Sequence, residues 1–211
     1  MEMVETAQSR TYLWIGGSPC AGKSSVTELL AAQFGLAPYH VDDHFNRHVD
    51  HLDPTHQPAL NRWLAATWDQ RWMQPLDQLL HEVIACYDEH TTLVLEDLAA
   101  LAADASLLVE GSALLPQRLV EIGVSTNQAI WLVPTAEFQW HYYSQRAWIK
   151  NILQQCDDPE QAFANWMARD THFAQWVDKE ARRFHFPVVT VDGRTSIEKI
   201  ALQVAEHFCL S

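Results

Sequence analysis

Three of the chain's seven glycines fall in one stretch, Gly16-Gly17-Ser18-Pro19-Cys20-Ala21-Gly22-Lys23-Ser24. From Gly17 it reads G-x-x-x-x-G-K-S, a loop whose backbone N–H groups cradle phosphate oxygens. Such a loop works only between a buried strand and a helix, because the helix N-terminus supplies part of the positive potential. Both flanks fit. Residues 11–15 are β-branched and aromatic, and Val26, Leu29, Leu30 and Phe34 recur at helical spacing before Gly35. The bare pattern arises by chance in about one chain of this length in a hundred, at average residue usage. The strand and helix around it point to a nucleotide site formed by Gly17, Ser18, Pro19, Cys20, Ala21, Gly22, Lys23, Ser24 and Ser25. Lys23 is expected at the β/γ-phosphates and the Ser24 hydroxyl at Mg²⁺.

Four more apolar runs read as strands: residues 38–41, 106–110, 128–133 and 187–191. Helical sequence separates them, chiefly residues 61–103 (with a second helix from 92 to 102), 137–184 with a break near 157–159, and 196–208. Residues 44–58 read as a helical turn followed by a loop. The pattern predicts an α/β fold with a five-stranded parallel sheet and helices on both faces. Functional groups in such sheets gather beyond the strand C-termini. Residues 1–10 read as a flexible polar tail and 11–211 as one domain.

Bulk properties narrow the partners. A net charge of −13 opposes nucleic acid and anionic lipid. No apolar run approaches the ~20 residues of a membrane span. The N-terminal stretch lacks a signal-peptide core, and the four cysteines are scattered without a C-x-x-C pair, which fits reduced thiols in a cytoplasm. A monomer or homodimer is expected. Cys20, inside the phosphate loop, is a candidate for oxidative blockade of nucleotide binding. Most of the nine tryptophans are read as core or lid packing.

Several charged residues follow the expected strands. Asp42 stands where a base would accept a proton from a hydroxyl, with Asp43 as rival or helper; the structural alternative is a helix N-cap. Glu110 ends the third strand, where it would organise Mg²⁺, hold substrate, or sit buried against the phosphate loop. Arg47 and Arg118 would hold an acceptor's anionic group or form surface salt bridges. Arg146 and Lys150 share a helix face, with Arg169, Arg182 and Arg183 beyond them, and any of these could close over phosphates or pair with nearby carboxylates. His44 and His48 have i,i+4 spacing, but an acceptor-binding loop fits that stretch better than a dedicated metal site.

The guanine-reading N-K-x-D and the transporter L-S-G-G-Q elements are absent. The segments 16–24, 41–43, 108–116 and 191–195, together with Arg146, resemble the P-loop small-molecule kinases of the nucleoside monophosphate kinase-like group. Within that group they are similar to 2-phosphoglycerate kinase-like and chloramphenicol phosphotransferase-like proteins. The resemblance implies a three-layer P-loop fold of strand order 2-3-1-4-5, ATP and Mg²⁺ as cofactors, and a small-molecule acceptor. It implies Asp42 as base, a helical acceptor region at about 44–104, and a lid at about 146–184 carrying Arg146, with Arg169 as a second candidate. Gly193 and Arg194 would then lie against adenine. Two rival readings are a nucleotide-binding switch without an acceptor and an antibiotic or nucleotide-sugar phosphotransferase.

Overall fold

A computed structural model describes residues 11–101 and 106–210; the tail expected over 1–10 and the end of the expected acceptor region lie outside them. Five strands form one sheet: β1 (Tyr12–Gly17), β2 (Ala37–His40), β3 (Leu107–Glu110), β4 (Ala129–Pro134) and β5 (Val188–Val191). All neighbouring strands are parallel, in the order β2-β3-β1-β4-β5, as the resemblance implied. Ten helices surround them among the described residues: α1 (Lys23–Phe34), α2 (Val41–Val49), α3 (Pro58–Ala65), α4 (Trp68–Trp72), α5 (Leu76–Ala100), α6 (Pro116–Glu121), α7 (Ala136–Ser144), α8 (Ala147–Leu153), α9 (Pro159–Arg183) and α10 (Ile197–His207). Among the described residues no helix is long and apolar enough to cross a membrane.

The period-2 alternation of the strands builds two cores. Leu13 and Ile15 of β1 pack with Val26 and Leu30 of α1 and with Ile200 and Val204 of α10. Trp14, one residue out of phase, joins Val109, Trp131 and the α9 residues Phe173, Ala174 and Val177 on the other face. Burying a side chain the size of Phe173 contributes roughly 1.5–3 kcal/mol. A third cluster, Trp72, Tyr143, Ile149, Trp166 and Met167, ties α4, α7, α8 and the first half of α9 into a helical cap over the strand C-termini.

Three expectations are corrected. The helix expected separately from residue 92 is the continuation of α5, which runs unbroken from Leu76 to Ala100. Neither glycine nor proline interrupts that stretch. The helical turn after the second strand begins earlier, at Val41, with His40 as N-cap, so Asp42 and Asp43 lie in the first turn of α2 and neither caps it. The lid expected over 146–184 is divided. The C-terminal half of α9 is core, because Phe173, Ala174, Val177 and Ala181 are packed against the sheet.

The turn from β1 into the phosphate loop depends on Gly17, whose φ is 134°. A Cβ there would lie 1.9 Å from the Leu132 carbonyl oxygen, a backbone atom that cannot swing aside. Gly17→Ala is therefore expected to destabilise the protein by more than ~3 kcal/mol, through clash and strain together. Gly35, at φ 65° with open space around it, is the control: Gly35→Ala should cost only about 1 kcal/mol. Urea unfolding midpoints of the two variants check this, and equal midpoints would contradict it.

Candidate active site

The C-terminal edge of the sheet opens into a cleft of 460 Å³. One wall is the phosphate loop from Pro19 to Ser25; Asp42, Glu110, Ser112, Arg146 and Arg169 face it from other elements. Ser18 lies beneath the loop, fully buried. Its hydroxyl accepts from Gln139 Nε2 at 3.1 Å, and the same amide donates to the Pro19 carbonyl at 2.9 Å. Gln139, on α7 and 1% exposed, thus braces the loop from behind. Nothing in the sequence singles it out. Cys20 holds φ 65°, a left-handed conformation rare for a side-chain-bearing residue. Burial pushes its thiol pKa up, against Arg146, so the thiol stays protonated at neutral pH.

Lys23, the first residue of α1, is buried, and its Nζ donates to the Ser18 carbonyl and to Ser112 Oγ, both at 3.0 Å. Burial pulls its pKa below the usual lysine range, and Glu110 and Asp42 oppose that pull. Asp42 is reached by water through the open cleft, yet protein surrounds it on the remaining sides. This burial raises its carboxyl above the usual aspartate value; Lys23 counters the rise and Glu110 and Asp43 add to it. A carboxylate with a raised pKa is a stronger proton acceptor.

Ser24 Oγ donates to Glu110 Oε1 at 2.9 Å. His40 donates through Nδ1 to the same oxygen at 2.7 Å and meets Glu28 Oε1 through Nε2 at 2.7 Å. Burial opposes charge on His40, but the two carboxylates outweigh it and raise its pKa. A serine oxygen beside a buried carboxylate is a pair of hard oxygen donors. It suits Mg²⁺, which takes one or two protein oxygens and fills its remaining positions with phosphate and water. Because it donates its hydrogen bond to Glu110, the Ser24 hydroxyl would keep its lone pairs free for such a cation.

Arg146 is exposed at the mouth, its guanidinium 5.2 Å from the Tyr143 ring centroid. It lines both the cleft and an adjoining cavity of 630 Å³ that includes Gly22, Phe138, Gly193, Thr195 and Ile197. Arg169 is buried in a pair with Asp170, its Nη2 2.5 Å and its Nε 2.8 Å from Oδ1. Burial opposes its charge and the Asp170 carboxylate more than restores it.

Other candidates lie elsewhere. Arg47 is exposed and paired with Asp97, which also accepts from Tyr39 Oη. Arg118 pairs with Glu121 at 3.1 Å and Asp88 at 3.6 Å and donates to Thr92. Neither arginine lines the cleft; each is drawn to carboxylates of α5 or α6 instead. Asp43 is exposed outside the cleft. Arg194 turns to Asp192 at 3.5 Å and borders a neighbouring groove rather than the cavity beside the loop. Arg182 and Arg183 pair with Asp178 and Glu180. Lys150 is exposed on α8.

His44 and His48, expected near the acceptor, are each engaged by another ring. His44 stacks on Tyr39 at 4.2 Å, and His48 Nδ1 lies 3.1 Å from His90 Nε2 inside the protein. Burial, helped by His48, pulls the His90 pKa down to about 4. Unfolded, the same ring takes its proton near pH 6.5. Its contribution is complete above pH 6.5 and is lost as pH falls toward 4, to a total of about 3 kcal/mol. His90→Gln should flatten the fall of the unfolding midpoint between pH 7 and 5; parallel profiles would contradict the assignment.

A second cavity, of 360 Å³, opens off the cleft. The two share Asp42, Tyr87, Trp148, Trp166 and Arg169. Five of the nine tryptophans, Trp63, Trp68, Trp72, Trp148 and Trp166, line it, and Trp72 and Trp166 among them are also packed in the helical cap, in keeping with the core or lid role expected from the sequence.

The fold matches solved kinases. Shikimate kinase from Acinetobacter baumannii in complex with shikimate aligns with a TM-score of 0.53 at 15% identity, over 93% of this chain and 92% of that chain. Shikimate kinase from Bacteroides thetaiotaomicron aligns with a TM-score of 0.52 at 12% identity, over 93% and 97%. At these identities the likeness is one of fold. No family model and no curated protein matches the chain.

Proposed function

We propose that the protein is an ATP-dependent phosphotransferase that moves the γ-phosphate of MgATP to a hydroxyl of a small molecule. The observation that carries this reading is the shared wall between the phosphate-loop cleft and the second cavity, with Asp42 standing in it. A switch protein has no need of an acceptor-sized space opening beside the phosphates. The fold shared with shikimate kinases supports the same reading.

In this reading the loop amides and Lys23 hold the β/γ-phosphates, and the residues around Gly193 border the nucleoside. Phosphoryl transfer asks a protein mainly for alignment and charge stabilisation. Lys23 supplies fixed positive charge at the cleft floor, and Arg146 at the mouth can add to it once phosphate arrives. Asp42 takes the acceptor's proton. Ser24 and Glu110 would hold Mg²⁺, which offsets phosphate charge when bound. The 2-phosphoglycerate kinase-like and chloramphenicol phosphotransferase-like likenesses belong to this proposal and rest on the sequence segments alone.

The direct test is incubation with γ-labelled ATP, Mg²⁺ and a panel of small alcohols. Label in an organic phosphate ester is expected. Label only in inorganic phosphate across the panel would contradict the reading.

A further inference from the structure

The second cavity holds more chemistry than phosphoryl transfer requires. Its walls are flat and apolar: Trp72 stacks on Trp166 at 4.0 Å with 11° between the rings, and Trp63 meets Trp72 edge-on at 5.4 Å. Phe45, Leu60 and Val83 complete them. The polar groups are few and most are already engaged. Arg169 is committed to Asp170 and lies over the Trp72 ring at 4.6 Å. His90 is held against His48.

Arg71 is different. Its guanidinium lies over Trp68 at 4.3 Å and Trp63 at 5.1 Å, and Nη2 donates to the Leu64 carbonyl at 3.0 Å. Its Nε is buried without a hydrogen-bond partner, and among the described residues it forms no salt bridge. Trp72 Nε1 is likewise buried and unpartnered, on a residue 2% exposed. A chain with 27 acidic and 14 basic residues has carboxylates to spare, yet among the described residues none lies within salt-bridge distance of this cation. Aromatic walls and a guanidinium that no carboxylate neutralises among the described residues together suit a flat ligand that brings its own acceptor oxygens.

We infer that the phosphate acceptor is a planar, largely apolar alcohol carrying one carboxylate, seated among the tryptophans with the carboxylate at Arg71 and the hydroxyl at Asp42. The inference rests on the phosphotransferase reading. A polyhydroxylated sugar or sugar acid fits poorly, since each buried hydroxyl seeks an acceptor and a donor and these walls supply few of either. In the transfer, the acceptor O–H gives its proton to the Asp42 carboxylate and its oxygen bonds the γ-phosphorus. The bond from that phosphorus to the bridging oxygen of ADP breaks, and the electron pair leaves with ADP.

The tryptophans in the wall supply the readout. Tryptophan emission is followed as 4-(hydroxymethyl)benzoate, its neutral analogue 4-methylbenzyl alcohol, or D-gluconate is added to the protein with MgADP. The aromatic acid is expected to bind at least about tenfold more tightly than gluconate, one charge-assisted contact being worth that much. Arg71→Met should weaken the aromatic acid by about tenfold or more and leave the neutral analogue within about twofold. Arg71→Lys, which keeps charge but loses the planar fork, should fall between the two. Three results would each overturn the inference: no saturable binding of the aromatic acid, gluconate binding equally well, or equal weakening of both aromatic probes by Arg71→Met. The wild-type comparison decides even if the methionine variant fails to fold. Labelled phosphate reaching gluconate but no aromatic alcohol would end this inference and leave the phosphotransferase reading intact. Aromatic-acid binding without ATP-dependent transfer to any alcohol would do the reverse.

Discussion

Lys23→Ala is expected to lower phosphoryl transfer by at least about 10²–10³-fold, the usual consequence of removing one preorganised positive donor from a water-poor site. The lysine is buried at the cleft floor, and its Nζ position is fixed by Ser18 and Ser112 rather than by a carboxylate. Its charge is therefore not neutralised by direct pairing. Burial lowers its pKa, and Glu110 and Asp42 oppose the fall. Lys23→Met, which preserves the apolar stem, separates charge from packing. If it folds like the parent and still loses transfer, the loss belongs to the charge. Turnover by Lys23→Met within about threefold of the parent would remove the lysine from the mechanism, since a participating donor costs far more.

Asp42→Asn is expected to leave MgATP affinity near the parent's and to lower kcat by about 10²–10⁴-fold, the range for loss of a general base. The pH dependence carries a second signature. The base acts only when deprotonated, so kcat should fall as pH drops through the Asp42 pKa, which burial holds above the usual carboxylate value. The acid limb should therefore lie above that of an ordinary aspartate and should vanish in Asp42→Asn. A limb that persists unchanged in the variant would assign the proton to another group.

The strands were legible because each is short, apolar and closed by glycine, proline or aspartate, and the observed bounds differ from the expected ones by at most two residues. The donor half of the cleft was legible for a related reason. The loop is continuous in sequence, so Gly17, Lys23 and Ser24 come together without tertiary information. The acceptor half was not. Trp72 and Trp166 stack across 94 positions of chain, and no periodicity announces such a contact. Arg47 and Arg118 show the opposite failure: they follow the right strands, but Asp97 and Glu121 capture them away from the cleft. A charged residue's place in sequence fixes its backbone only; nearby carboxylates decide where its head group points.

The most direct test of the account is phosphorus NMR of the reaction of MgATP with the alcohol acceptor found by the labelling panel, run in parallel with the parent protein, Lys23→Met and Asp42→Asn. A phosphomonoester signal is expected to grow in step with ADP in the parent and to be nearly absent from both variants. ATP turnover yielding inorganic phosphate alone, at one rate in the parent and Asp42→Asn, would contradict it.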